Sequence, residues 1–169
     1  MSKAEEWEAD LVTAGYVLGA LEGTWRGEGM GGFPTVDSFV YRETLTFERR
    51  DEESLFYMQR TEKRMDGQPE FVLSHWESGF IHILAGNELG LANVQSGGRG
   101  EFLKGKIDGT EGKVRLDFIS ESLANDDRMV ASARTFVIDG DRLQYEMSMQ
   151  TTRVNKIVQH LKATLQRGE

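Results

Sequence analysis

Residues 23–29 read Gly23-Thr24-Trp25-Arg26-Gly27-Glu28-Gly29, and Gly31-Gly32-Phe33-Pro34-Thr35 follows one residue later. Alternate residues of a strand share a face, so the three glycines at 23, 27 and 29 point to the same side as Trp25. Glycine inside a strand often marks close approach by another backbone or by a ligand. We therefore expect something to lie close against this bare face. A strongly bent strand at a barrel corner, with Trp25 as a core plug, explains the pattern equally well.

The chain after this motif continues as short runs rich in β-branched and aromatic residues, separated by Asp-Gly, Gly-Asn and Gly-Gly pairs that are typical of hairpin turns. Counting the runs gives ten antiparallel strands, over residues 22–30, 36–49, 54–65, 70–77, 79–85, 89–94, 99–106, 113–119, 128–138 and 142–152. A meander of this many strands tends to close, because closure removes the exposed edges. The sequence predicts an all-β fold, a ten-stranded antiparallel up-and-down β-barrel.

Two segments outside these strands have apolar residues at three- and four-residue spacing, which is the helical pattern. The first predicts an N-terminal helix from about Ala4 to Leu21. The second predicts a short C-terminal helix from about Asn155 to Arg167, with an apolar stripe of Val154, Ile157, Val158, Leu161 and Leu165. Gly168 follows at the position where a glycine cap is expected.

Composition narrows the class of protein. A chain of 169 residues fits a single domain over residues 1–169. Its 20 basic and 28 acidic residues give a net charge of −8, so we expect neither nucleic acid nor a membrane surface as a partner. The absence of cysteine excludes disulfides and thiolate metal sites. No cationic and apolar leader precedes the domain, so we expect a cytoplasmic protein, and the sequence allows a homodimer.

The chain has only three histidines, and each has a different sequence context. His160 lies at the margin of the apolar stripe near the C-terminus, a position suited to an axial ligand, although a lone histidine there is more often a structural residue bonded to a carbonyl. His75 lies in a strand between aromatic neighbours. His82 points to the face opposite Ile81 by strand alternation.

Other side chains leave alternatives open. Met147 and Met149 share one side of the last predicted strand and fit either an adaptable cavity wall or a dry core. Arg128 and Arg134 share a face by even spacing, so they could bind carboxylate groups or form exposed cross-strand ion pairs. The sequence contains no Gly-x-Ser-x-Gly elbow, phosphate loop or His-Glu-x-x-His pair.

The motif over residues 23–29 matches the Gly-x-Trp-x-Gly-x-Gly motif of the nitrobindin family, and the chain resembles that family from Leu21 to Leu165. Nitrobindins are small haem-binding barrels of the lipocalin and fatty-acid-binding-protein type. Further matches are Gly32-Phe33-Pro34-Thr35, Glu77-Ser78-Gly79-Phe80, Val94-Gln95 and Gln159-His160-Leu161-Lys162-Ala163. The chain departs from the family where it lacks a proline before His160, and where Arg128 stands as a substitute for a lysine.

The resemblance implies that His160 is the proximal ligand of a ferric haem b, with His75 as a candidate distal residue and no catalytic residue beyond the haem iron. The haem contacts that it implies are Gly23, Trp25, Gly27, Gly29, Pro34, Thr35, His75, Gln95, Arg128 and Met149. The implied activities are nitric oxide binding and isomerisation of peroxynitrite to nitrate. Barrels of this size also carry fatty acids or other apolar molecules without a metal, so such a carrier is the alternative, and an interaction module that binds nothing small is a third.

Overall fold

The structure is a computed structural model that describes residues 12–168. It contains one helix and ten strands: α1 (Ala14–Leu21), β1 (Gly23–Phe33), β2 (Val36–Arg49), β3 (Ser54–Met65), β4 (Val72–Leu84), β5 (Glu88–Gln95), β6 (Gly100–Thr110), β7 (Lys113–Ala124), β8 (Met129–Asp139), β9 (Arg142–Thr151) and β10 (Val158–Arg167). All neighbours pair antiparallel, and β1 pairs with both β2 and β10, which closes the barrel. The predicted ten-stranded β-barrel is confirmed. The part of the predicted N-terminal helix before residue 12 lies outside the described residues.

The predicted number of strands is right, although two assignments behind it are wrong. The predicted strands at 70–77 and 79–85 form one strand, β4, which runs through Gly79 without a turn. A Cβ at Gly79 would lie 1.8 Å from the carbonyl oxygen of Ala92. This glycine therefore permits the close approach of β5 and does not reverse the chain.

The predicted C-terminal helix is wrong, because residues 158–167 form β10. The pairing of β10 with β9 shifts register between Gln159 and Leu161, which leaves His160 as the extra residue of a β-bulge. The bulge puts Leu161 three residues after Val158, and Leu165 follows four later, so the apolar spacing imitates a helix. One strand was predicted as two and another was predicted as a helix, so the predicted number of strands is still ten.

One end of the barrel is closed by α1, and we call it the closed end. Asn87, in the turn between β4 and β5, accepts a hydrogen bond from the Ala14 backbone N–H at 2.7 Å. Trp25 is fully buried at this end, and its Nε1 donates to the Leu21 carbonyl at 2.8 Å. The helix packs its apolar face on the same core, through Val17, Leu18 and Leu21. No helix among residues 12–168 has the length and apolar character needed to span a bilayer.

The glycines of β1 lie close to a neighbouring strand of the barrel. A Cβ at Gly27 would lie 2.1 Å from the Thr164 carbonyl oxygen, and one at Gly29 would lie 2.3 Å from the Lys162 carbonyl oxygen. Both oxygens belong to β10, so these glycines let β10 approach closely and complete the barrel. The close neighbour that the bare face of β1 predicts is therefore β10, another strand of the same barrel. Trp25 is the core plug.

The opposite end, which we call the rim, carries the connections β1–β2, β3–β4, β5–β6, β7–β8 and β9–β10. Five strand pairs of the described barrel contain a register shift, and all five shifts lie toward the rim. Bulges concentrate at barrel rims and beside functional sites, where they re-aim side chains. The irregular pairing therefore indicates the rim as the place to look for a site.

Candidate functional site

Two adjoining cavities lie at the rim. The inner cavity has a volume of about 210 Å³, and its lining includes His75 and His160. The outer cavity has a volume of about 270 Å³, and its lining includes Arg128. Arg99 and Met149 line both, so the cavities are neighbours. Their combined size lies within the roughly 300–1,000 Å³ that is usual for small-molecule sites.

His160 is presented to the inner cavity by the bulge of β10. Its Nδ1 lies 2.9 Å from the Gly32 carbonyl oxygen, and because a carbonyl only accepts, Nδ1 carries the proton and Nε2 keeps a free lone pair. Phe33 and Phe39 pack edge-on against the imidazole, at centroid distances of 5.8 and 6.1 Å. Burial lowers the pKa of His160, with partial opposition from the Gly32 hydrogen bond, and so favours the neutral form that binds metals.

These features fit the axial ligand of a haem. A haem iron needs a single protein imidazole, and a hydrogen bond from its second nitrogen normally fixes the orientation of the ring. Apolar walls surround His160 in the inner cavity, formed by Phe39, Met147, Met149 and Leu161. Among residues 12–168 no three His, Asp or Glu side chains gather as a site for a bare metal ion.

His75 reaches the same cavity next to a second bulge. The β3–β4 pairing shifts register between Thr61 and Glu62, which leaves Ser74 as an extra residue of β4. Ser74 and His75 consequently both line the inner cavity, although they are consecutive. The Nε2 of His75 lies 2.8 Å from a carboxylate oxygen of Glu77, whose buried side chain lines the cavity as well.

Buried polar side chains form a layer beneath the inner cavity. Arg134 donates to both oxygens of Glu77 and, at 2.7 Å, to Glu101. Burial alone would raise the pKa of Glu77, but the Arg134 charge and the hydrogen bonds from His75 and Arg134 outweigh it and hold this pKa well below its usual range. The expectation of exposed ion pairs for Arg134 is wrong, because the side chain is buried among these carboxylates.

Glu43 in the same layer behaves in the opposite way. Its side chain is buried and accepts a hydrogen bond from Gln59. Burial raises the pKa of Glu43 to about 8, although the Gln59 hydrogen bond and the Arg134 charge oppose the rise. The layer therefore contains an ionised carboxylate, Glu77, and one that favours the protonated form at neutral pH, Glu43.

Known proteins share this architecture. Residues 15–167 match the family model described as "THAP4-like, heme-binding beta-barrel domain". The chain belongs to this heme-binding β-barrel family. The resemblance to the nitrobindin family over most of the chain is thereby confirmed, and the family supports haem binding.

Relatives with names that state an activity cover nearly the whole domain. A peroxynitrite isomerase of Nocardia farcinica is 31% identical over 153 residues, 89% of this chain and 88% of that protein. Peroxynitrite isomerase 1 of Mycolicibacterium paratuberculosis is 34% identical over 154 residues, 89% and 92% of the two chains. The crystal structure of Rv2717c from M. tuberculosis superposes with a TM-score of 0.81 at 28% identity, covering 95% of this chain and 100% of that one.

A more distant likeness concerns the fold alone. The S-type phycobiliprotein lyase CPES from Guillardia theta superposes with a TM-score of 0.61 at 10% identity, over 94% of each chain. The barrel is thus a scaffold that this heme-binding family shares with another protein, and function has to be argued from the site.

The structure gathers some of the predicted site residues and separates others. His75, Met149 and His160 meet at the inner cavity, and Thr35, Arg128 and Met149 meet at the outer one. Arg128 has 82% of its side chain exposed and holds Asp126 at 2.9 Å. Gln95 is buried at the end of β5 and Pro34 is exposed in the β1–β2 turn, and neither lines the inner or the outer cavity of the described structure.

The glycine and tryptophan motif on β1 has a packing role in this member of the heme-binding family. Gly23, Trp25, Gly27 and Gly29 line neither rim cavity of the described structure. Arg167 lies over the Trp25 ring, at 4.2 Å from its centroid, and β10 covers the glycines. The structure thus separates these residues from the cavity that holds His160.

Sequence reasoning missed Glu77 and Arg99 as contributors to the site, and it missed the burial of Arg134. Glu77 is two residues after His75, so strand alternation alone would have placed both on one face. Arg134 precedes the inward residues Phe136 and Ile138 at spacing two, which was a signal for a buried charge. Arg99 lies in the connection between β5 and β6, where no periodic pattern indicates what a side chain contacts.

Proposed function

We propose that the protein binds a ferric haem b through Nε2 of His160 and acts on nitrogen oxides, binding nitric oxide and isomerising peroxynitrite to nitrate. The observation that carries the proposal is a half-buried neutral imidazole with its Nδ1 held by the Gly32 carbonyl and its Nε2 free. The names of the relatives, which cover nearly all of the domain, support the reaction.

The chain's own residues bind and orient the cofactor. Apolar surface on Phe39, Met147 and Leu161 excludes water, and its burial would supply most of the binding free energy. The Gly32 carbonyl fixes the imidazole plane, and Arg99 with Arg128 places positive charge at the outer cavity, where carboxylates of the cofactor would find partners. The iron, when bound, supplies a Lewis acid for small anions and nitric oxide. No nucleophilic side chain is required.

A hemin titration of the purified protein tests the proposal. We expect a sharp Soret band for the parent protein and a strongly weakened or shifted band for His160→Ala. The matched control is His82→Ala, since His82 is a partly exposed histidine on the outer surface that packs on Phe102 at 5.8 Å between ring centroids. An unchanged spectrum of His160→Ala would overturn the ligand assignment.

The same preparation separates the haem protein from a carrier of apolar molecules. A carrier would show no specific Soret band and would bind a fluorescent fatty acid that other fatty acids displace. A haem protein with peroxynitrite isomerase activity would increase the yield of nitrate from peroxynitrite in stopped flow only after hemin is added. The homodimer stays a prediction, which sedimentation velocity of the purified protein tests.

A further inference from the structure

Glu77 makes more hydrogen bonds than a surface carboxylate would. Its oxygens accept from the Tyr57 hydroxyl at 2.7 Å, from two nitrogens of Arg134, and lie 2.8 Å from His75 Nε2. Only 1% of the Glu77 side chain is exposed. An ionised carboxylate buried this deeply is stable only when its lone pairs meet donors, and here four donor atoms surround two oxygens.

This arrangement fixes which nitrogen of His75 carries a proton. Arg134 holds Glu77 in the ionised form, and an ionised carboxylate can only accept hydrogen bonds. Nε2 of His75 must therefore be the N–H that donates to Glu77. In the neutral ring Nδ1 then keeps its lone pair, and in the imidazolium both nitrogens donate.

Nδ1 of His75 has no hydrogen-bond partner within residues 12–168, whereas His75 lines the inner cavity and has 31% of its side chain exposed. Two other polar side chains that line this cavity, Glu77 and Gln59, already have protein partners. Glu77 is held as described, and Gln59 donates to Glu43. His75 is thus the imidazole that can meet a small molecule entering the cavity beside His160.

We propose that Glu77, braced by Arg134 and Tyr57, is a positioning residue that holds His75 as the Nε2–H tautomer, so that Nδ1 contacts the small ligand bound in the cavity shared with His160. The contact rests on the proposed haem function, but the tautomer does not. A small anion or diatomic ligand accepts a hydrogen bond from Nδ1–H when the ring is protonated, and a protic ligand donates to Nδ1 when it is neutral.

The tautomer is tested without any cofactor. Long-range ¹H–¹⁵N NMR of the histidine rings in the apo protein should show His75 with its proton on Nε2. In the Glu77→Gln variant His75 should no longer show this tautomer alone. The matched control is Glu101→Gln, since Glu101 bonds the same Arg134 without contacting His75. If the parent protein has the proton of His75 on Nδ1, the proposal is overturned without recourse to any variant. A His75 pattern that is the same in Glu77→Gln and in the parent would also overturn it.

The ligand contact is tested in the reduced, haem-loaded protein with carbon monoxide as the probe. The C–O stretching frequency responds to a hydrogen bond or dipole next to the bound molecule, so His75→Leu and Glu77→Gln should both shift it, and Glu101→Gln should not. An identical frequency in His75→Leu would overturn the contact while leaving haem binding intact. Loss of any His160-dependent Soret band would instead overturn the proposed function together with the contact, and the NMR result would stand by itself.

Discussion

The closed end and the rim of this barrel are made from the same ten strands and differ in how regularly those strands pair. At the closed end the register is unbroken, the inward positions are apolar, and Trp25, Leu55 and Leu89 are fully buried. At the rim five register shifts interrupt the pairing, and His160 lies in one while His75 lies beside another. Regular pairing builds the stable half of the molecule, and irregular pairing directs polar side chains toward a cavity.

A third region lies between these two ends. The buried layer of Arg134, Glu77, Glu101 and Glu43 separates the apolar core from the cavities. Its charged side chains are buried away from water. Removing one of them should therefore change the free energy of unfolding as well as the structure of the site. Substitutions that alter one region and spare another show how independent the two ends are.

The largest effect is expected from Arg134→Met. The variant leaves Glu77 and Glu101 buried without their shared cation, and breaking a buried pair of this kind costs about 3–5 kcal/mol of unfolding free energy. Urea unfolding at neutral pH measures it. Arg128→Met is the matched control at the rim, where the side chain is mostly exposed and its loss should leave the unfolding midpoint nearly unchanged. Equal losses in the two variants would contradict the distinction between the buried layer and the rim.

A pH-dependent effect of similar or smaller size is expected from Glu43→Gln. The pKa of Glu43 rises from 4.5 to about 8 on folding, so the folded state binds a proton that the unfolded state has released. Stability is therefore full below about pH 4.5, falls as the pH rises, and levels off above about pH 8. One pKa unit corresponds to about 1.4 kcal/mol, so a rise of this size makes the loss on the order of 5 kcal/mol.

Glutamine cannot ionise and can still accept the hydrogen bond from Gln59, so Glu43→Gln should lack most of this loss. Free energies of unfolding measured from pH 5 to pH 9 should diverge between variant and parent as the pH rises, with the variant more stable at pH 9. Glu48→Gln, at an exposed position of the same strand, should follow the parent. Parallel profiles for Glu43→Gln and the parent would show that Glu43 ionises normally in the folded barrel.

The smallest of the three effects is expected from Gly27→Ala, at about 1–3 kcal/mol, because the new Cβ overlaps the backbone of β10. Gly32→Ala is the control on the same strand. Its Cβ would meet nothing closer than the Ser38 hydroxyl oxygen at 3.4 Å, so we expect no loss. Thermal unfolding of both variants measures the contrast. A tolerated alanine at position 27 would mean that the regular pairing of β1 with β10 is as adaptable as the pairing at the rim.

Much of the fold could be predicted from sequence, because hairpin turns and strand alternation are local signals. The ten strands, the barrel and the inward row of Leu143, Tyr145, Met147 and Met149 follow from them, and Met147 and Met149 prove to line the inner cavity. The resemblance added His160 and His75, which the structure brings to one cavity. Local patterns fail where a bulge shifts the register, and for that reason β10 was predicted to be a helix.

The rest of the site depends on contacts between residues that are distant in sequence. Arg134 meets Glu77 across 57 positions, and only the closed barrel brings them together. A bare strand face indicates close approach without indicating by what, and only the family resemblance assigned Gly27 and Gly29 to the cofactor. In the structure the neighbour is β10, which lies at the other end of the chain.

The extra residue in β10 suggests a simple way in which a relative could lose the site during evolution. His160 has no partner on β9, while Gln159 faces Ser148 and Leu161 faces Met147. A deletion of this one codon would remove the proposed iron ligand and at the same time restore an unbroken ladder between the last two strands. Relatives that have lost the ligand in this way would therefore align with a one-residue gap at this position, and the barrel would gain regularity as it lost its chemistry.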